Sequence, residues 1–104
     1  MSAACAIVVT TVDDEDKANE IARSVVAQGL AACVQISGVR SIYRWKGEVE
    51  ETREFRLEMK MRAEDYAALE TAIRALHPYE TPEIVRFDIA EGYKPYLDWI
   101  AERG

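Results

Sequence analysis

The chain has 104 residues, 49% hydrophobic and 31% charged, which suits one domain spanning residues 1–104 and is too apolar for a disordered chain and too charged for a membrane protein. Against 13 Lys and Arg stand 19 Asp and Glu, and the resulting formal charge of −6 argues against affinity for phosphate backbones or anionic lipid, so neither nucleic acid nor membrane is an expected partner. Met1 to Cys5 holds no basic leader and the apolar run Ala3 to Val9 is too short to span a bilayer, so a cytoplasmic location with Cys5 and Cys33 as reduced thiols is expected.

The first element, Ala4 to Thr11, is a nearly continuous apolar run containing Ile7, Val8 and Val9, the pattern of a central strand. Thr11 to Glu15 supplies capping groups, and Ala18, Ile21, Ala22 and Val25 then recur at helical spacing. Gly29 stops that helix and Leu30 is the apolar partner of its C-cap. From Leu30 to Trp45 the chain is rich in Val, Ile and Tyr, with a bulge or bend expected at Ser37-Gly38 and a turn at Lys46-Gly47. Beyond the turn Val49, Phe55, Leu57, Met59 and Met61 share one parity while charged residues take the other, predicting a strand with one core face and one wet or interfacial face.

Tyr66, Leu69, Ile73 and Leu76 predict a second helix, which Pro78 ends at His77. After Pro82 a strand carries Val85, Phe87 and Ile89, and Pro95 opens a short C-terminal helix with Tyr96, Leu97, Trp99 and Ile100. The order βαββαβ plus a terminal helix predicts an α+β, ferredoxin-like sandwich: an antiparallel four-stranded sheet with two crossover helices on one face.

The hairpin is long for such a domain. Arms of about 15 residues at roughly 3.3 Å each reach about 50 Å, whereas helices of about 14 residues cover only about 20 Å of sheet. The excess must project, and beside Arg44 it carries Val39, Ile42, Tyr43 and Trp45, apolar and aromatic side chains that a lone edge strand avoids. Pairing with identical copies in a closed assembly follows, and those five residues are the expected interface.

Four motifs then stand in order: Leu30-Ala31-Ala32-Cys33-Val34, Ser41 to Gly47 (SIYRWKG), His77 to Pro82 (HPYETP), and Tyr96-Leu97-Asp98-Trp99-Ile100. Together they resemble the divalent-cation tolerance protein family, CutA, essentially end to end, with Gln35 standing where many relatives carry Asn. The resemblance implies a homotrimer of ferredoxin-like subunits with hairpins paired between neighbours, a role in tolerance of divalent cations, copper above all, and a trimeric shape similar to the PII signalling proteins.

His77 is the only histidine, so a metal site must recruit other donors or a second subunit. Imidazole and thiolate suit copper or zinc, and Cys33, His77 and Glu80 form the candidate set for Cu2+ or another divalent cation. The competing readings are structural: His77 as a cap on the last carbonyls of its helix, Cys33 as a small buried hydrophobe unless a cation such as Lys60 makes it a thiolate. Glu54, Glu58 and Lys60, on the polar parity of their strand, and Tyr79, Tyr96 and Trp99 are candidate walls of an intersubunit cleft. Nothing resembles a nucleophile motif, a Gly-rich phosphate loop or the Cys-x-x-Cys of a copper chaperone, so a binding protein is expected rather than an enzyme. Two functions stay open: direct divalent-metal binding at the clefts, or a PII-like sensor or scaffold that takes a small metabolite or partner peptide there.

Overall fold

The strands and helices come where hydrophobic periodicity changes between two and about 3.6 residues, giving β1 (Cys5–Val12), α1 (Glu15–Ala27), β2 (Cys33–Trp45), β3 (Glu48–Arg62), α2 (Tyr66–Leu76), β4 (Ile84–Asp88) and α3 (Lys94–Ala101). These elements belong to a computed structural model that describes residues 4–104. Of the segment Met1 to Cys5, on which the expected lack of a basic leader rests, Met1, Ser2 and Ala3 lie outside the described residues. All three strand pairings are antiparallel, in the order β2-β3-β1-β4, so the expected ferredoxin-like sheet forms, with β1 and β3 at its centre.

Strand alternation sorts the two faces. Ala6, Val8 and Val12 of β1 share a face with Leu57, Met59 and Met61 of β3, and α1 and α2 bury Ile21, Val25, Leu69 and Ile73 against them. Each such large side chain contributes roughly 1.5–3 kcal/mol of burial. Asp14 caps α1 by accepting a hydrogen bond from the Lys17 N–H at 3.2 Å, with Glu15 and Asp16 favourably placed in the first turn. At the other end Gly29 takes φ +72°, donates to the Val26 carbonyl at 3.0 Å, and lets Leu30 N–H reach the Val25 carbonyl at 2.9 Å. That double bond pattern is a Schellman cap, and Leu30 packs back onto the core as the sequence implies.

Two local expectations change. Residues Leu30 to Ala32 are used by the cap and the following turn, so β2 begins at Cys33. The bulge or bend at Ser37-Gly38 does not form either: register runs unbroken from Cys33 opposite Lys60 to Trp45 opposite Glu48. Gly38 lies opposite Phe55 with open space where a side chain would stand, so nothing there forces the strand out of register. The turn is as read, with Lys46 at φ 51° and Gly47 at φ 82°, the two positive values of a tight hairpin turn.

Pairing with β1 ends at Phe55, so Glu48 to Glu54 pair with β2 alone and the hairpin projects as a two-stranded ribbon. Val49 keeps the core parity yet is 75% exposed, because no helix reaches it. The longest dimension of the molecule is 44 Å.

The sheet face opposite α1 and α2 is only partly covered. α3 lies across one end, burying Ile100 and Cys5, whose Sγ donates to the Leu97 carbonyl at 3.5 Å. Burial, reinforced by the nearby Asp98 carboxylate, pushes the Cys5 thiol pKa up and keeps it protonated. The rest of this face stays open, with Val85 and Phe87 of β4 exposed on it.

Candidate functional site

Most of the cleft and metal candidates singled out in the sequence fall into two groups, one beside α3 and one where α2 ends near the base of the hairpin. At the α3 end, Cys33 stands directly opposite Lys60 across the β2–β3 ladder and is half-buried. Lys60 Nζ donates to Gln35 Oε1 at 2.7 Å and lies 5.7 Å from the centre of the Tyr96 ring. Tyr96 and Trp99, one turn apart on α3, stack at 5.6 Å. Gln35, the position at which the chain departs from many relatives, thus holds the ammonium group beside Cys33. Glu58, opposite Gln35, forms an ion pair with Arg56 on its own strand.

At the other end, α2 stops where His77 turns extended, and its ring turns away from the helix toward β1. His77 Nε2 donates to the Thr11 carbonyl at 2.8 Å, while Nδ1 accepts the Tyr79 N–H at 3.2 Å, an assignment of the tautomer made from these two partners. The imidazole therefore does not cap its own helix; the His77 backbone N–H bonds Ile73 O instead. His77 is 9% exposed, so these two bonds satisfy a ring buried at a strand end.

Tyr79 packs edge-on against His77 at 4.7 Å and donates its O–H to Glu54 Oε2 at 2.8 Å. Burial above all, then the hydrogen bond and charge of Glu54, hold the Tyr79 phenol well above its ordinary pKa. Beside this pair opens a cavity of about 430 Å³. Its walls include Tyr43 and Trp45 from β2, with Tyr43 Oη 2.9 Å from Thr52 Oγ1. Glu80 lies on its rim.

One chain brings together Cys33, Lys60, Tyr96 and Trp99, and separately Glu54, Tyr79, Glu80 and His77. It does not bring Cys33 to His77. Cys33 is in register with Lys60 and Ile7, and His77 bonds Thr11, so the two lie four β1 residues apart, about 13 Å along the strands, besides being two strands across. Among the described residues no three His, Cys, Asp or Glu side chains converge as a metal-binding group. Val39, Tyr43 and Trp45 share the open-face parity, whereas Ile42 and Arg44 point to the opposite side of the projecting ribbon. The sequence reading missed Thr11, Asp13, Thr52 and Glu83 as cavity walls. Strand parity could have put Thr52 with Tyr43 and Glu54; nothing local marks Asp13 or Glu83.

The model of the CutA1 divalent ion tolerance protein family matches residues 6–103. The divalent-cation tolerance protein CutA of Thermus thermophilus is 47% identical over 97 residues, covering 92% of this chain and 94% of that protein. The crystal structure of CutA1 from Shewanella sp. SIB1 superposes with a TM-score of 0.94 at 38% identity, covering 99% of this chain and 97% of that one. A CutA structure from Archaeoglobus fulgidus, described as a periplasmic divalent cation tolerance protein, gives 0.92 at 34% identity over 95% of this chain and 97% of that one. The chain also spans about half the length of mammalian CutA relatives. With the hairpin, the α3 cover and the four sequence motifs all in place, the chain belongs to the CutA1 divalent ion tolerance protein family.

Proposed function

We propose that the protein binds divalent metal ions, copper foremost, at clefts between the copies of a homotrimer, as a cytoplasmic tolerance protein without catalytic activity. The observation that carries this reading is that a divalent ion tolerance family member holds Cys33 on its uncovered sheet face and, about 13 Å along the strands, His77 and Glu80 at the strand end. A neighbouring copy laid against that face can therefore bring the thiol of one subunit to the imidazole and carboxylate of the next. Thiolate and imidazole together favour copper or zinc over hard cations. Of the two ring nitrogens Nδ1, held only by the 3.2 Å bond from Tyr79 N–H, is the one a metal would compete for. Two free cysteines fit residence in a reducing compartment.

The projecting ribbon supports the assembly, because Ile42, Tyr43, Trp45 and Val49 are exposed on it in a single chain. Calorimetric titration with Cu2+ and Zn2+, beside Cys33→Ser and His77→Ala, tests the metal site. Saturation at one ion per chain, lost in both variants, is the expected result; weak binding without a stoichiometry and insensitive to either substitution contradicts it. A second reading, a PII-like trimeric sensor that takes a small metabolite, is favoured by one observation, the 430 Å³ cavity, which is far larger than a bare ion needs.

A further inference from the structure

We propose that the two faces of the projecting ribbon fit one another between copies of this chain, the arginine-bearing face of one lying against the acidic, aromatic face of the next in a head-to-tail contact. The proposal rests on the assembly reading above and names the surfaces that meet in it.

Strand parity sorts the ribbon's side chains. On the side that continues the helix-covered face lie Arg40, Ile42 and Arg44 of β2, opposite Arg53, Glu51 and Val49 of β3. On the other side Tyr43 and Trp45 stand opposite Glu50 and Glu48. The first side thus carries three arginines against one carboxylate, and the second carries carboxylates without a Lys or Arg from either strand. Each side also exposes two large apolar residues, Ile42 and Val49 on the first and Tyr43 and Trp45 on the second.

One chain does not satisfy these charges. Arg40 and Arg53 stand directly across the ladder, a like-charge pair that destabilises the ribbon. Glu51 reaches Arg40 only at 3.9 Å with both groups well exposed, a weak compensation. Arg44, Arg53, Glu48 and Glu50 take part in no ion pair among the described residues. Opposite charges left over on opposite faces of one ribbon are neutralised when a second copy supplies the partner face. The rings add to the fit, because a guanidinium stacks on Tyr and Trp, and Trp45 already draws Lys46 Nζ of its own turn to 5.8 Å from its centre.

The same pattern decides the symmetry. A two-fold contact sets a face against itself, arginine on arginine or glutamate on glutamate. A head-to-tail contact joins unlike faces and uses both sides of every ribbon, which accounts for interface candidates on both, Ile42 and Arg44 on one and Tyr43 and Trp45 on the other. Repeated by rotation, it closes into a ring.

Charge reversal tests this. Arg44→Glu with Arg53→Glu makes both faces acidic, Glu48→Lys with Glu50→Lys makes both basic, and all four together restore unlike faces with the signs exchanged. Arg53→Glu sets an acid opposite Arg40, Arg44→Glu faces Val49, and the two lysine substitutions face Trp45 and Tyr43, so no reversal puts like charges directly across the ladder. Native mass spectrometry after mixing nitrogen-15-labelled and unlabelled protein follows subunit exchange, with circular dichroism as the check on folding. Each single-face reversal is expected to speed exchange at least about tenfold or to leave monomers, and the fourfold variant to return within about threefold of the parent chain. Parent-rate exchange in both single-face variants overturns the proposal, as does a fourfold variant that exchanges no more slowly than either. Should a single-face variant not fold, the parent chain decides: exchange that does not quicken between about 0.05 M and about 0.5 M NaCl overturns the proposal. A parent chain that sediments as a monomer removes the assembly itself, whereas a trimer indifferent to the reversals overturns this proposal alone.

Discussion

Tyr79 donates its O–H to Glu54 Oε2 at 2.8 Å, tying the loop after α2 to the first β3 residue beyond the reach of β1. The bond fixes the base of the ribbon to the domain, and it joins two residues named separately in the sequence as cleft walls.

Burial and Glu54 hold the Tyr79 phenol above its ordinary value of 10.0, so folding favours the protonated form. The corresponding stabilisation is fully present below about pH 10, where the unfolded phenol is also protonated, and is lost as pH rises toward the raised native value. Tyr79→Phe is expected to lower stability at pH 7 by about 1–2 kcal/mol through the unsatisfied carboxylate, and to flatten the fall in stability above pH 10. Urea unfolding at pH 7 to 11 measures both; an equally steep alkaline fall in the variant counts against the bond.

Thr10 faces the helices between Leu57 and Ile84, and its buried Oγ1 has no hydrogen-bond partner among the described residues. Thr10→Val removes that hydroxyl while keeping the branched shape, and is expected to stabilise by about 1 kcal/mol. In a domain of this size the melting temperature rises by roughly 4–8 °C, readable by circular dichroism.

Gly29 closes α1 at φ +72°, and a Cβ added there meets only Arg103 Cδ at an ordinary 3.7 Å. Gly29→Ala therefore isolates backbone strain from crowding. A loss of about 1–2 kcal/mol is expected, from the left-handed conformation alone. Gly38→Ala, with open space around the site and no positive φ, is the control and is expected to be neutral or slightly stabilising.

Tyr43 and Trp45 are 42% and 51% exposed in a single chain, so charge at either position costs a lone subunit little. In an interface the same charge is buried without a partner. Tyr43→Glu and Trp45→Glu are therefore expected to dissociate or aggregate the assembly while leaving each subunit folded. Size-exclusion chromatography with circular dichroism separates the two effects, and an intact assembly in both variants places these side chains outside the interface.

Much of the fold is legible because the patterns are local. The parity of Phe55, Leu57, Met59 and Met61, the stop at Gly29 and the turn at Lys46-Gly47 each state their own structure. The misread segments are those where neighbours decide. Leu30 to Ala32 read as strand until the Schellman cap claims them, and Gly38 reads as a bulge until its pairing with Phe55 is known. The candidate site was legible as residues but not as an arrangement. Parity puts Glu54 and Lys60 on one face without saying that they serve its opposite ends. The direction of His77 depends on Thr11, 66 residues earlier. Asp13 and Glu83 enter the cavity wall only because two chain segments distant in sequence end beside the same strand.

The proposed metal site requires the proposed assembly, since Cys33 and His77 meet only if a second copy supplies one of them. Sedimentation equilibrium at micromolar concentration measures this most directly. A single species at three times the chain mass of 11.8 kDa is the expected result. A homogeneous species at 11.8 kDa that still binds one copper ion through Cys33 and His77 would contradict it.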